Sequence, residues 1–231
     1  EIVSIIRTYE QKNGRLIHLH TDAVQTLGKI PFNPILYNID SASFSAHKIG
    51  GIKGIGMLYL KKPISVLSQG GGQENSIRPG TENTAGIISF SIAMEISYRD
   101  LEQNLNHTAK LRVLLHRELE KIHGIKLLFK NNNNENEKYS PYITSATVAP
   151  IPGEVLIRIL SDKGYMLSTG SACSSRNRKK QIRVLTSSGV SEKDAAGSIR
   201  ISIGWSTTES DILNFCSTLK GSISDLQKYR R

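Results

Sequence analysis

The sequence is short of cysteine, short of aromatics and without any long apolar run. Its two cysteines, Cys173 and Cys216, stand far apart in 231 residues. That count argues against a disulfide-stapled secreted scaffold, provides no metal-ligand spacing and suits a reducing cytoplasm. No stretch approaches the roughly 20 apolar residues that a membrane span needs, and no signal-peptide pattern opens the sequence. Aromatics are 6% of residues and the charges are mostly scattered, so a net charge of +10 is not read as nucleic-acid binding. The one dense basic cluster is 176–183. The histidines give no metal site: His18 and His20 alternate on a strand, while His107, His116 and His123 sit on a helix, with no carboxylates at ligand spacing. There is no internal repeat.

What is present suits a soluble globular chain, with 38% hydrophobic and 22% charged residues. The first residue is Glu1, and 1–13 already has a helical pattern closed by Gly14, as though the sequence joins a longer protein partway. Short apolar strands are expected over 15–20, just before Phe44, and over 56–60, a pattern of α/β type. Residues 84–121 are largely helical, with Leu111, Leu115, Leu119 and Ile122 on one face and Gly124 as the stop. The polar tract 131–138 is expected to be an exposed hairpin loop. A strand over 143–148, a helix over 154–163 ended by Gly164, a strand over 198–203 and a helix after Thr208 complete the reading. The two α/β parts divide inside the long helical stretch, as 1–104 and 105–231.

Three residues draw attention as chemistry. Lys48 follows Ser45, Ala46 and His47 at a strand end and precedes Gly50, Gly51, Gly54 and Gly56, whose backbone lets a ligand approach closely. A lysine so placed can form a Schiff base with an aldehyde if its pKa is depressed. By itself the glycine-rich run could also pass for a nucleotide loop, although it lacks a P-loop ending and a G-x-G-x-x-G pattern. Asp22 ends a strand, where α/β sheets bind ligands, and Gln25 follows one turn later. Asp22 could pair with a protonated pyridine nitrogen or simply cap the next helix. Cys173 has small and polar flanks that favour a reactive thiol over a buried one. Cys216 lies on an apolar helix face and reads as core.

The order of these elements resembles a known family. An Asp-Ala-x-Gln element at 22–25 precedes a Ser-x-His-Lys element at 45–48, as in the class V aminotransferase group of fold-type I pyridoxal-phosphate enzymes. Arg-Pro-Gly-Thr-Glu-Asn at 78–83 and Ser-Thr-Gly-Ser-Ala-Cys-Ser-Ser at 168–175 narrow the resemblance to cysteine desulfurases of the NifS/IscS type. Ser-Ile-Arg-Ile-Ser at 198–202 extends it almost to the end of the chain.

The resemblance implies a fold-type I α/β architecture. Residues 1–104 would be the C-terminal part of the large cofactor domain, and 105–231 a small domain carrying the cysteine loop. It implies pyridoxal 5'-phosphate as cofactor and L-cysteine as substrate. Lys48 would carry the cofactor and shuttle protons, Asp22 would pair with the pyridine nitrogen, and Gln25 with the phenolic oxygen. Ser45 and His47 would hold the phosphate, joined by Thr81 from the partner subunit of a homodimer. Arg200 would clamp the substrate carboxylate. Cys173 would be the nucleophile that takes the sulfur as a persulfide, releasing alanine, and the stretch 174–198 is long enough for the long, mobile cysteine loop of that desulfurase class. The cluster 176–183 would lower its pKa or dock acidic acceptors, such as an iron–sulfur scaffold or a tRNA-thiolation relay.

The family also has an N-terminal portion carrying a phosphate-binding loop, a ring-stacking histidine and an asparagine near the phenolic oxygen, and this sequence does not show it. Other readings compete: a selenocysteine lyase, another class V enzyme, or an inactive fragment that only binds partners.

Overall fold

A carboxylate pulled between a guanidinium and a backbone N–H organises the start of the chain. In the computed structural model, which describes residues 1–66, 70–129, 139–169 and 178–228, Arg7 projects from α1 (Ile2–Asn13). Its guanidinium donates to Glu10 within the helix and to the Asp40 carboxylate at 2.7 Å, as well as to the carbonyls of Ile17 and Asn38. None of the residues of α1 is buried, so this polar clamp, more than packing, fastens the helix.

The same clamp explains why the expected strand over 15–20 is shorter than its apolar pattern. Ile17 N–H donates to Glu10 at 2.7 Å and Leu19 N–H to Asp40 at 2.9 Å. Carboxylates thus take two donors that a strand would give to a ladder. Regular pairing begins only at β1 (His20–Asp22).

The chain divides into two compact units, Glu1–Gln103 and Asn104–Arg231. The first holds a three-stranded sheet of order β1, β2 (Ser41–Ser45), β3 (Gly56–Leu60). β1 runs parallel to β2 and β3 antiparallel to it. β2 is central, with Ser41, Ala42 and Phe44 buried, as expected of a strand covered on both faces. Ala23, Leu27 and Ala46 join them, with Phe90 from α2 (Thr84–Arg99). The Asn83 side chain caps α2 by accepting from Gly86 N–H at 3.0 Å.

The second unit is built on β4 (Lys126–Leu127), β5 (Ile143–Thr147) and β6 (Ser198–Ser202), antiparallel in that order. The helical stretch after residue 84 breaks at Asp100, and α3 (Leu101–Glu120) sends Leu111, Leu115 and Leu119 into the core at four-residue intervals. α4 (Gly153–Asp162) adds Leu156 and Leu160; α7 (Glu209–Lys228) adds Ile212, Phe215, Cys216, Leu219 and Ile223. Thr208 and Asp211 cap α7 reciprocally: each side chain accepts from the other's backbone N–H, at 3.1 and 2.8 Å.

The long loop expected over 174–198 is corrected in its described part. α5 (Arg178–Ser187) and α6 (Glu192–Ala196) occupy most of it. Arginine, lysine, glutamine and leucine are good helix formers, and Ser191 caps α6 by accepting from Asp194 N–H. The tract 131–138 lies outside the described residues. Among those residues, no helix is long and apolar enough to cross a membrane.

Burial alone would raise the Asp40 carboxyl, but hydrogen bonds from Arg7 and Leu19 outweigh it and hold the group below the ordinary aspartate value. A carboxyl depressed in the folded state stabilises above its unfolded pKa, and that contribution disappears as pH falls through the folded value. Asp40→Asn should therefore cost about 1 kcal/mol at neutral pH and flatten the acid limb of the stability profile. Urea unfolding of both proteins across pH 3 to 7 checks this; parallel acid limbs would contradict it.

Candidate active site

Parallel pairing sets the site's frame. The register aligns His20 with Ser41 and Asp22 with Ser43, so β1 and β2 finish at the same edge of the sheet. Asp22 is the last residue of one strand and Ser45 the last of the other. In α/β sheets the carboxyl ends of parallel strands are where ligands bind.

After β1 the chain turns back at once. Ala23 N–H donates to Ser43 carbonyl at 3.0 Å, and Ala23 and Leu27 are buried while Asp22 and Gln25 remain exposed. Asp22 Oδ1 accepts from Val24 N–H at 3.0 Å, a local turn bond that leaves its other oxygen to a ligand. The capping role weighed for Asp22 thus survives as a turn, not as a helix cap. Gly28 is left-handed at φ 65, and a Cβ there would come within 2.6 Å of Ser97 Cβ. Only glycine lets the turn lie this close to α2.

After β2 a single 3-10 turn, Ala46–Lys48, buries Ala46 and leaves His47 and Lys48 exposed. Ser45 Oγ and His47 Nδ1 are 2.7 Å apart, which ties together the two residues expected to bind a phosphate. Gly51 N–H donates back to Ala46 carbonyl at 3.0 Å, and a Cβ on Gly51 would meet Ala46 Cβ at 2.9 Å. The tight glycine turn therefore closes directly behind Lys48.

Lys29 belongs to this edge and was not among the residues singled out from sequence. Its ammonium donates to Gln25 Oε1 at 2.6 Å. Burial, and after it the charge of Lys48, lower its pKa from the usual lysine value. The signal was legible as a lysine four residues after Gln25, one helical turn on.

Ser41, buried in β2, lies 2.7 Å from both His18 Nε2 and His20 Nδ1. The two imidazoles thus have a local hydroxyl partner. Among the described residues no group of three or more histidine, cysteine or acidic side chains could hold a metal.

The other expected residues lie on other elements. Thr81 is exposed in the loop between Gly80 and Asn83. Arg200 is in the second unit, on β6, paired with Ser145 on one side and bridged to Ser168 on the other, where Arg200 N–H donates to Ser168 carbonyl at 2.6 Å. Its Nε is buried, with no hydrogen-bond acceptor among the described residues. Cys173 lies outside the described residues. Cys216 is buried in the core of the second unit, and burial pushes its thiol up to about 11.

Two open clefts are lined by other residues. One of about 180 Å³ includes Arg112, His116 and Tyr139, and one of about 420 Å³ includes Arg7, His18 and Lys61.

An α/β chain with an amine, a carboxylate, an amide and a hydroxyl–imidazole pair at one set of strand ends has the equipment of a pyridoxal-phosphate enzyme. The chain belongs to the class V aminotransferase family, whose model matches residues 1–215. Its fold is the fold-type I architecture of that family, and pyridoxal 5'-phosphate is the family's cofactor.

A curated relative, "Cysteine desulfurase IscS" of Rickettsia typhi, is 39% identical over 218 residues, covering 93% of this chain and 52% of the relative. Among solved structures, a "NIFS-LIKE PROTEIN" superposes with a TM-score of 0.81 at 35% identity, covering 96% of this chain and 56% of that one. A NifS-like protein from Rickettsia africae ESF-5 gives 0.80 at 30% identity, with 97% and 56% covered. The chain spans about half the length of the curated relatives it matches.

The buried Cys216 thiol should be inert in the folded chain. In a Cys173→Ser variant at pH 8, a thiol reagent should titrate no cysteine before unfolding and one after. Rapid reaction of Cys216 in the folded variant would contradict its placement in the core.

Proposed function

We propose that this chain is part of a pyridoxal-phosphate-dependent cysteine desulfurase that converts L-cysteine to L-alanine and leaves the sulfur as a persulfide on Cys173. The observation that carries the reading is the exposed Lys48 on the turn that ends β2, beside the Asp22 turn that ends parallel β1. The IscS and NifS-like relatives support it.

The donor set fits the cofactor group by group. Asp22 offers a carboxylate oxygen not used by its turn bond, suited to a protonated pyridine nitrogen. Gln25 offers amide donors to a phenolic oxygen, and the Ser45 and His47 pair offers a hydroxyl and an imidazole to a phosphate. Lys48 offers the amine that attaches the cofactor. Bound there, pyridoxal phosphate supplies an electron sink for the charge left when a proton leaves the substrate Cα.

The chain's own residues supply the rest. Lys48 Nζ takes the Cα proton and later returns one as alanine forms. Arg200 binds the substrate carboxylate through its planar fork, and the free Nε on β6 supports that role. The Cys173 thiolate attacks the substrate sulfur: a sulfur–sulfur bond forms, the carbon–sulfur bond breaks, and the electron pair stays with the carbon fragment that is protonated to alanine. Basic residues of 176–183 stabilise the thiolate or dock an acidic acceptor.

In this reading residues 1–104 are the C-terminal part of the large cofactor domain and 105–231 the small domain. Two copies form a dimer in which Thr81 reaches the partner's phosphate. The persulfide passes to an acceptor protein, an iron–sulfur scaffold or a thiolation relay, in the cytoplasm.

Sulfur-labelled L-cysteine tests this. Added with pyridoxal phosphate and analysed without reductant, it should place label on the peptide containing Cys173, with stoichiometric alanine. Cys173→Ala should lose the label and Cys216→Ala should keep it. Alanine and free sulfide from the Cys173→Ala variant at the unsubstituted rate would contradict the proposed nucleophile.

A further inference from the structure

Gln25 is exposed, and an exposed amide can present either its oxygen or its NH2 to a ligand. Here the choice is made. The Lys29 ammonium donates to Gln25 Oε1 at 2.6 Å. An ammonium has three donors and no acceptor, so only the amide oxygen can face it. What Gln25 has left to offer a ligand is its NH2, two donors that suit an anionic oxygen and reject a donor.

The backbone holds Lys29 for this task. Lys29 N–H donates to Thr26 carbonyl at 3.1 Å. The preceding Gly28 is left-handed at φ 65, with α2 too near for any side chain there. Lys29 is partly buried, which restricts a side chain that on an open surface would sample many rotamers. Its charge and that of Lys48 repel one another.

We propose that Lys29 is a positioning residue of the cofactor site: it holds Gln25 by the amide oxygen, so that the amide NH2 is donated to the ionised phenolic oxygen of pyridoxal phosphate. This rests on the cofactor reading given above. Lys29 itself forms no bond to substrate. It acts through Gln25, and its contribution disappears when Gln25 is removed.

The visible spectrum of the full chain loaded with pyridoxal phosphate reads this directly, because the ionised phenolic oxygen gives a long-wavelength band and the neutral phenol a near-ultraviolet one. At fixed pH, Lys29→Met should lower the ratio of the two bands by about 2- to 10-fold, the value of one ordinary hydrogen bond. Lys29→Arg, which keeps a donor, should recover most of it. In a Gln25→Ala background, Lys29→Met should change nothing further. A Lys29→Met spectrum identical to the unsubstituted one overturns the inference, and so does an equal shift with and without Gln25, which would mean that the charge acts alone. Those failures leave Lys48 still bearing the cofactor and the cofactor reading intact. Absence of both bands in the unsubstituted chain contradicts that reading and this inference together.

Discussion

The parallel pairing of β1 with β2 is the constraint on which the candidate site depends. A single register, Asp22 opposite Ser43, sends two strand ends to one edge. Because side chains alternate along a strand, a slip of one residue would exchange the faces of β1 against β2. Burial of Ala42 and Phe44 in the central strand makes that slip costly. Two short turns then do the placing: one carries Asp22, Gln25 and Lys29, and the other Ser45, His47 and Lys48. Each is closed by a glycine lying against a neighbour, Gly28 on Ser97 and Gly51 on Ala46. The site's precision thus comes from packing beneath it and not from the exposed residues themselves.

Much of this was legible in the sequence, for identifiable reasons. Leu111, Leu115 and Leu119 recur every fourth residue, and a period that close to a helical turn leaves one face to bury. The helix expected after Thr208 forms there, fastened by the reciprocal bonds of Thr208 and Asp211. Cys216 on an apolar helix face proved to be core. These features depend on neighbours in sequence, so the sequence alone carries them.

What was misjudged depends on partners distant in sequence or on competition between donors. The strand expected over 15–20 gave way because Glu10 and Asp40 captured its N–H groups, and Asp40 is 21 residues from Leu19. The resemblance implies a loop over 174–198, but the residue types of its basic stretch favour helix, and α5 forms there. Lys29 escaped notice because its four-residue spacing from Gln25 is common and gains meaning only from the 2.6 Å contact and from Lys48, which is distant in sequence. The second unit contributes differently: its strand β6 carries an arginine whose Nε is buried with no hydrogen-bond acceptor among the described residues, and an isolated bridge ties that strand to the segment that leads toward Cys173.

The central claim is that the amine at the end of β2 is the one that takes the cofactor. Borohydride reduction of the chain mixed with pyridoxal phosphate, followed by peptide mapping, tests it most directly. One pyridoxyl group on Lys48, absent after Lys48→Ala, is the result the account predicts. Label scattered over several surface lysines, and undiminished when Lys48 is replaced, would contradict it.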